Sequence, residues 1–122
     1  MSSEASTSAI VRLEASRKGL RLWRNNVGAA MTDTGSFIRF GLANETAQMN
    51  KQIKSADLIG IRPVLITPEH VGRVIGQFVS RECKRPDWKW RGDEREQAQW
   101  RWAEIVASLG GDALIVTGEG SL

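Results

Sequence analysis

The triplet Glu82-Cys83-Lys84 places a carboxylate and an ammonium group two residues apart, at the end of an apolar stretch that begins at Val74. If this stretch is a β-strand, its period of two directs Glu82 and Lys84 to one face and Cys83 to the other. A carboxylate on that face can bind a divalent cation, and a nearby lysine can orient water or stabilise developing charge. Cys83 then offers only its backbone carbonyl as a ligand. The triplet is the first candidate for catalytic chemistry.

Two further acids stand where they could complete an oxygen shell around a metal ion. Asp57 opens the apolar run 57–61, which predicts a buried strand, and Glu14 lies beside the apolar face of a helix predicted over residues 3–17. Cleavage of a phosphodiester needs charge neutralisation at the phosphoryl oxygens and a deprotonated water, and carboxylate-held Mg²⁺ supplies both. The acids together therefore predict metal-assisted phosphodiester hydrolysis.

Each acid also has an ordinary structural explanation. Glu14 can pair with Arg17 or Lys18 on the helix surface, and Asp57 can cap a turn. An E-x-K triplet is frequent in soluble chains and usually marks a solvated strand edge. The prediction depends on the combination of these residues, and no single one of them would carry it.

The elements expected around these acids are helices and strands in mixed order. They are a helix over 3–17 with Ser2 or Ser3 as its N-cap, strands over 19–24, 57–61 and 74–84, a helix over 93–109, and a strand over 113–116. The stretch 37–40 is one short strand candidate. Residues 29–55 are expected to form a loop-rich insertion, and Pro63 and Pro68 predict a connection over 62–72. The pattern predicts one mixed α/β domain spanning 1–122 around a single sheet.

Bulk composition narrows the classes of function. The 122 residues are 41% hydrophobic and 25% charged, which is typical of a globular domain. No apolar run approaches the roughly 20 residues of a membrane span, and the start of the chain lacks the layout of a signal peptide. We therefore expect a cytoplasmic protein without a membrane partner. Cys83 and His70 are too few for a structural zinc site.

Basic residues concentrate in two segments of the chain, although the net charge is only +3. If the fold brings these segments together, they form a surface that follows a phosphate backbone and whose affinity falls with salt. Arg24 and Asn25 can also serve only to end a strand. The residues predicted to contact DNA are Arg17, Lys18, Arg24, Asn25, Arg81 and Arg85.

Tryptophan is unusually abundant, with five residues and no tyrosine. Trp23 and Trp100 fall on the apolar faces of predicted elements, so we expect them in the core. Trp88 and Trp90 flank Lys89 in a basic loop. They can stack on bases or sugars, or pack at a dimer interface, and the sequence does not choose between these roles.

Five separated segments resemble the VRR-NUC domain of the PD-(D/E)XK nuclease superfamily, in the short stand-alone form found in phages and prophages. They are Glu14, the sequence RNNVG at 24–28, SADLIG at 55–60, FVSRECK at 78–84 and EQAQW at 96–100. Together they span most of the chain from about residue 4 to residue 117. The combination is far more specific than any one of the segments.

The resemblance implies a PD-(D/E)XK restriction-endonuclease-like core, a mixed sheet flanked by helices, and a Mg²⁺- or Mn²⁺-dependent endonuclease. It also implies a homodimer that cuts branched DNA, notably four-way (Holliday) junctions. A two-fold dimer would present two sites to two strands, whereas one small subunit covers little of a junction. The implied site has Glu14, Asp57, Glu82 and the Cys83 carbonyl as metal ligands, Lys84 assisting the attacking water, and Gln97 beside them.

Two alternative functions stay open. A catalytically silent module would keep the fold and the basic face but not cut DNA. A nuclease acting on ordinary duplex or on flap DNA would share the chemistry and differ in its substrate. The chain offers no base-reading helix or zinc module, which favours recognition of DNA shape over recognition of sequence.

Overall fold

Helices and short strands alternate along the chain in a mixed α/β arrangement, as the sequence predicts. The structure, a computed structural model, describes residues 3–122. Its elements are α1 (Glu4–Arg17), β1 (Arg21–Arg24), β2 (Gly28–Met31), β3 (Phe37–Phe40), α2 (Ala47–Gln52), β4 (Leu58–Ile61), a 3₁₀ turn (Pro68–His70), β5 (Val79–Cys83), α3 (Glu94–Ser108) and β6 (Asp112–Val116). They fall into two compact units, Met1–Gly60 and Ile61–Leu122, called unit 1 and unit 2 below.

In unit 1, α1 leads directly into β1. The Ser3 side chain caps the helix by accepting a 3.1 Å hydrogen bond from the Ser6 amide, while the other predicted cap, Ser2, lies outside the described residues. Gly19 has φ +78°, the left-handed conformation that commonly ends a helix. The following amide, Leu20, returns to the Ala15 carbonyl at 2.9 Å, and Ala15 is buried. The helix and strand are thereby joined by a tight, hydrogen-bonded turn.

Strands β2 and β3 form an antiparallel hairpin in unit 1, with Gly28 opposite Phe40 and Met31 opposite Phe37. The base of the hairpin is held by Asn44, which is only 3% exposed. Its amide nitrogen donates to the Gly28 carbonyl at 2.7 Å and to the Phe40 carbonyl at 2.9 Å. These bonds satisfy backbone groups that would otherwise be unpaired, so Asn44 closes the hairpin.

Unit 2 contains a β5-α3-β6 arrangement in which the two strands pair in parallel, from Val79 opposite Asp112 to Cys83 opposite Val116. The long crossover through α3 is what parallel pairing requires. Val106 on α3 is fully buried, and it packs close to Gly111, which leads into β6. A side chain at Gly111 would meet Val106, so the approach of helix to strand depends on glycine there.

Three expectations about the elements need correction. The predicted insertion 29–55 is not loop-rich, because it contains most of the β2–β3 hairpin and α2. The strand predicted over 74–84 is ordered as a strand only at Val79–Cys83, because β6 supplies just five pairing residues. The single predicted sheet is instead three two-stranded sheets within the described residues, β1–β4, β2–β3 and β5–β6. Mixed α/β structure is confirmed, and the finer PD-(D/E)XK core stays a prediction.

A helix that spans a membrane needs about 20 predominantly apolar residues. Among residues 3–122, no helix combines the length and the apolar character needed to cross a bilayer.

We predict that Gly60→Ala destabilises unit 1 by about 2 kcal/mol or more, because overpacking a tightly packed site forces the backbone apart. A methyl group at Gly60 would meet the Arg21 carbonyl on the paired strand β1. Gly76→Ala is the matched control, since a methyl group there meets nothing within 4 Å. Chemical denaturation monitored by circular dichroism measures both variants, and equal stabilities would contradict the prediction.

Candidate functional site

The alternation of β5 brings the two charged groups of the triplet to its α3-facing side. Ser80 lies on this side and accepts a 2.8 Å hydrogen bond from the Trp102 indole on α3. Glu82 is two residues further along. Lys84 follows the last residue of the strand, but its amide still donates to the Val116 carbonyl at 2.8 Å, which extends the pairing with β6 by one residue. Glu82 and Lys84 are therefore held in strand geometry, as predicted.

Gln99 of α3 links these two charged groups. The Lys84 ammonium donates to Gln99 Oε1 at 2.7 Å, and Gln99 Nε2 donates to Glu82 Oε1 at 3.0 Å. The ammonium also lies 3.8 Å from Glu82 Oε1. One amide therefore orients both the cation and the carboxylate. We call Glu82, Lys84 and Gln99 the β5–α3 cluster.

The β5–α3 cluster is half open to solvent. The Lys84 side chain is 16% exposed and the Glu82 side chain 42%. Within the described residues, the second Glu82 oxygen, Oε2, accepts no hydrogen bond and joins no ion pair. Glu82 and Gln99 line a cleft of about 460 Å³, and Arg95 adds a cation to its wall. The cluster thus presents a carboxylate oxygen to a space that a ligand can enter.

Gln99 is a residue that sequence reasoning missed, because Gln97 was expected beside the triplet. Two residues correspond to about 200° of rotation around a helix, so only one of the two glutamines can face β5. Gln97 instead donates to the Gly92 carbonyl at 2.6 Å, at the start of α3. The sequence did contain a signal for Gln99. Its spacing from Trp102 and Val106 places the three residues on one helix face.

Cys83 lies on the opposite side of β5 from the cluster. Its thiol is exposed, and its sulfur lies 3.9 Å from the Arg81 carbonyl. The alternation predicted from the sequence therefore holds at this residue. The use of its carbonyl as a metal ligand stays a prediction.

A second carboxylate, Glu96 at the start of α3, holds the loop that follows the triplet. It is 4% exposed and accepts hydrogen bonds from the Trp88 indole at 2.8 Å, the Arg91 amide at 2.7 Å and the Gly92 amide at 2.8 Å. Burial acts to raise the pKa of Glu96, but the hydrogen bonds to its charged form outweigh burial and lower that pKa below its ordinary value. Glu96 is therefore an ionised anchor for the loop.

The loop anchored by Glu96 returns to the cluster through Trp88. The Lys84 nitrogen lies 5.7 Å from the centre of the Trp88 ring, within the range of a cation–π contact. Glu96 thereby constrains Trp88, and Trp88 covers one side of the Lys84 ammonium. Glu96, the loop that it anchors and the β5–α3 cluster form one connected arrangement within unit 2.

In unit 1, Asp57 lines a separate polar cleft of about 350 Å³. Glu4, Ser8 and Arg12 of α1 line the same cleft, at the spacing of one helix face. Arg24 also contributes to its wall. The cleft therefore combines two carboxylates with two guanidinium groups, a set that suits a cation or a phosphate. Sequence reasoning missed Glu4, although its spacing of four and eight residues from Ser8 and Arg12 was a visible signal.

Glu14, the acid of α1 that was predicted to bind metal with Asp57, does not line this cleft. Six residues separate it from Ser8, so it occupies a different face of the helix. Its carboxylate lies 3.7 Å from the Lys18 ammonium, and both side chains are more than 60% exposed, at 62% and 67%. This is the geometry of an ordinary surface pair.

Asn25 joins separate segments of unit 1. Its amide nitrogen donates to Ser55 Oγ at 2.7 Å and to the Ala56 carbonyl at 2.9 Å. Its backbone amide donates to the Asp57 carbonyl at 2.8 Å. Asn25 thus holds the backbone of Asp57, and the predicted strand 57–61 is observed from Leu58 to Ile61.

Of the predicted DNA-binding cations, Arg81 is committed to the fold. Its side chain is 11% exposed and forms a 2.9 Å ion pair with Asp112. The remaining guanidinium hydrogen bonds go to the Ser80 and Asp112 carbonyls and to Ser121. Because every nitrogen of the group donates within the chain, Arg81 has a structural role in place of the expected phosphate contact. Arg17, Lys18, Arg24 and Arg85 lie at the surface.

The described residues contain no cluster of three or more acidic, histidine or cysteine side chains placed to hold a metal ion. Among the carboxylates that line clefts are Glu82 in unit 2 and Asp57 with Glu4 in unit 1. All are hard oxygen donors, the kind that Mg²⁺ and Mn²⁺ prefer. The predicted metal set of Glu14, Asp57 and Glu82 stays a prediction.

Comparison with known proteins adds no assignment. No family model, no curated protein and no solved structure matches the chain. Membership of the VRR-NUC family therefore stays a prediction from the sequence. The function is therefore inferred from the side chains described above.

We predict that Glu96→Gln lowers the thermal stability at neutral pH, because the amide cannot replace an ionised acceptor of hydrogen bonds from Trp88, Arg91 and Gly92. The pKa of Glu96 is depressed in the folded state, so its contribution is complete above its ordinary pKa of 4.5. It is lost as the pH falls through the lower folded-state pKa. Thermal denaturation from pH 7 to pH 2 should therefore show the two proteins converging in acid.

Glu94→Gln is the control for this experiment. Glu94 also carries a negative charge in the first turn of α3 but is exposed. Its loss should remove only a weak interaction with the helix dipole. Equal losses in the two variants would show that the hydrogen bonds of Glu96 contribute nothing beyond charge.

Proposed function

We propose that this protein is a metal-dependent phosphodiesterase that cuts DNA, with Glu82 and Lys84 as its central catalytic residues. The observation that carries the proposal is the β5–α3 cluster. A carboxylate with one uncommitted oxygen faces an open cleft, and an ammonium group is fixed 3.8 Å from that carboxylate by Gln99. This is the combination that hydrolysis of a phosphodiester requires.

Mg²⁺ or Mn²⁺, when bound, would neutralise the phosphoryl oxygens and lower the pKa of a water ligand. The residues present fit such an ion in their chemistry, since Glu82 offers Oε2 and the backbone carbonyl of Cys83 is an oxygen donor. Glu14 and Asp57 are the ligands predicted from the sequence. Glu4 joins them as a candidate because it shares a cleft with Asp57.

Lys84 is the residue best placed to act on the attacking water. Its ammonium group is mostly shielded from solvent and is held by Gln99 and the Trp88 ring. A cation held in this way can orient a water oxygen and stabilise charge that develops on the phosphoryl group without reorganising. Gln99 is a positioning residue in this proposal, because it acts through Glu82 and Lys84.

The DNA contacts proposed for this function are the surface cations Arg17, Lys18, Arg24 and Arg85. Because cations that contact phosphates release counterions, binding should weaken steeply with salt. Branched DNA, notably a four-way junction, is the proposed substrate, and a homodimer is the proposed assembly. Both of these depend on the resemblance to VRR-NUC nucleases.

We predict that Glu82→Gln and Lys84→Ala each reduce Mg²⁺-dependent cleavage of a labelled four-way junction by about 100-fold or more, the usual loss for a catalytic group. Gln97→Ala is a matched control on α3, because Gln97 contacts Gly92 and does not contact the cluster. Linear duplex and flap substrates in the same assay show which DNA is preferred.

The outcomes of this assay separate the candidate functions. If wild-type protein binds the junction but does not cut it with Mg²⁺ or Mn²⁺, the protein is a silent DNA-binding module. The close contact of Lys84 with Glu82 and Gln99 would then be a structural ion pair. Preferred cutting of duplex or flap would retain the chemistry and reject the junction.

A second prediction concerns the acids of unit 1. Glu4 and Asp57 line one cleft, and Glu14 pairs with Lys18 on another face of α1. We therefore expect Asp57→Asn and Glu4→Gln to reduce cleavage by at least about tenfold, whereas Glu14→Gln changes it less than twofold. Titration of Mn²⁺ binding by electron paramagnetic resonance checks the same ranking without activity. Large losses at both Glu14 and Asp57, with no loss at Glu4, would support the assignment made from the sequence.

A further inference from the structure

Three tryptophans of unit 2 form a continuous row that starts at the β5–α3 cluster. Trp88 contacts Trp90 edge-on, with ring centres 6.4 Å apart and an interplanar angle of 87°. Trp90 contacts Trp100 in the same way, at 6.3 Å and 69°. The row therefore runs from Lys84, beside Trp88, outward to Trp100 on α3.

The outer part of this row is accessible to solvent. Trp90 is 49% exposed, and Trp100 is 54% exposed, contrary to the expectation that Trp100 belongs to the core. The reason is that Trp100 and the buried Val106 lie six residues apart on α3, so they occupy different faces. Two large aromatic surfaces are thus left available for a ligand.

The three tryptophans line a groove of about 580 Å³, whose walls are completed by Ala103, Ala107 and Leu114. This volume lies within the range of sites that take small molecules or single nucleotides, about 300–1,000 Å³. Glu104 is the charged residue of the lining. The groove is therefore an apolar slot, with aromatic rings at one side and small side chains at the other.

The loop that carries Trp88 and Trp90 is strongly basic. Residues 84–91 contain Lys84, Arg85, Lys89 and Arg91 against a single acid, Asp87. Lys89 and Arg91 are exposed, and the Arg85 side chain is 74% exposed. A ligand that enters the apolar slot would therefore meet cations at its edge, as a base attached to a phosphate backbone requires.

We propose that this groove binds an unstacked base of a single-stranded DNA segment, with the adjacent phosphates contacted by the basic loop. Indole rings stack on any base, and the slot offers no set of polar groups that would read one base over another. The site therefore takes unpaired nucleotides without sequence preference. Trp90 and Trp100 form the stacking surface, and Lys89 and Arg91 contact the backbone.

A second copy of the chain is the rival occupant, and the charges argue against it. An interface between identical copies that is centred on this groove would bring the basic loop close to its own counterpart. Like charges placed opposite each other oppose association. A polyanion, in contrast, complements both the apolar slot and its basic edge.

This inference deepens the proposed function, since it assigns the DNA substrate a region of unpaired nucleotides next to Lys84. The rigid attachment of Trp88 to Glu96, at 2.8 Å, keeps the inner end of the row fixed before DNA binds. Groove binding and cleavage are nonetheless separable properties. Binding is therefore measured without metal.

The experiment compares two fluorescein-labelled 12-mers in EDTA, one of thymidylate and one in which every position is abasic. Both carry the same phosphates, so their difference in affinity by fluorescence anisotropy reports on base stacking. We expect the thymidylate to bind about tenfold more tightly, or by about 1.4 kcal/mol, because each base that stacks on an aromatic side chain adds to the affinity. Trp90→Leu and Trp100→Leu should each reduce this ratio to below threefold.

Two controls make the outcome decisive. Phe37→Leu removes an exposed aromatic side chain from the hairpin of unit 1, outside the groove, and it should leave the ratio unchanged. Circular dichroism confirms that each leucine variant is folded. Equal affinities for the two oligonucleotides in the wild type would overturn the proposal. It would also fall if Trp100→Leu changed the mass in solution, measured by light scattering, and left the affinity ratio intact, because the groove would then be a protein interface.

Failure of this proposal is distinguishable from failure of the proposed function. A protein that cuts DNA in Mg²⁺ but shows no base-dependent binding in EDTA would retain the nuclease and lose the groove. A protein that stacks on bases but never cuts would retain the groove and lose the nuclease.

Discussion

The carboxylate of Glu96 is the constraint on which the arrangement of unit 2 depends. It is almost fully buried at the first turn of α3, where it accepts hydrogen bonds from two backbone amides and one indole. A buried carboxylate is tolerated only when such donors replace its hydration. The donors all belong to the loop 88–92, so satisfying one charge fixes the path of that loop against the helix. Trp88 is thereby held beside Lys84.

The same helix then serves two clefts. One face of α3 presents Gln99 to the strand β5, where the amide aligns Glu82 with Lys84. Another face presents Trp100 to the row of indoles. The cleft beside the β5–α3 cluster presents the Glu82 carboxylate, and the apolar groove presents two exposed indole rings. A nucleic acid is the ligand class that carries both a phosphodiester and a base in one chain, which is why the two proposals support each other.

In unit 1, two asparagine side chains hold separate segments of the chain together by hydrogen bonds. Asn44 closes the β2–β3 hairpin, and Asn25 ties the end of β1 to the segment that carries Asp57. Asn25 was predicted as a DNA contact, yet its side chain is engaged with Ser55 and Ala56. Asn25 also lines the cleft of unit 1 beside Asp57, and its contact with DNA stays a prediction. Arg81 in unit 2 is a comparable case, in which a cation of the predicted interface secures the fold.

The sequence by itself determined α1, α3 and the faces of β5, whereas strand β2 and helix α2 formed where a loop was expected. Alternation is a local property of a strand, so the common face of Glu82 and Lys84 and the opposite face of Cys83 followed from it. The spacing of apolar residues is also local, and it predicted the bounds of α1 and α3 within a residue or two. Only the tertiary structure decided which helical residue reaches which neighbour. Gln99 in place of Gln97 at the cluster, and Glu4 in place of Glu14 at the cleft, depend on the rotation of a helix about its axis. That rotation is set by which helical residues are buried, Ala15 in α1 and Val106 in α3, and those residues are buried by strands that lie outside the helices.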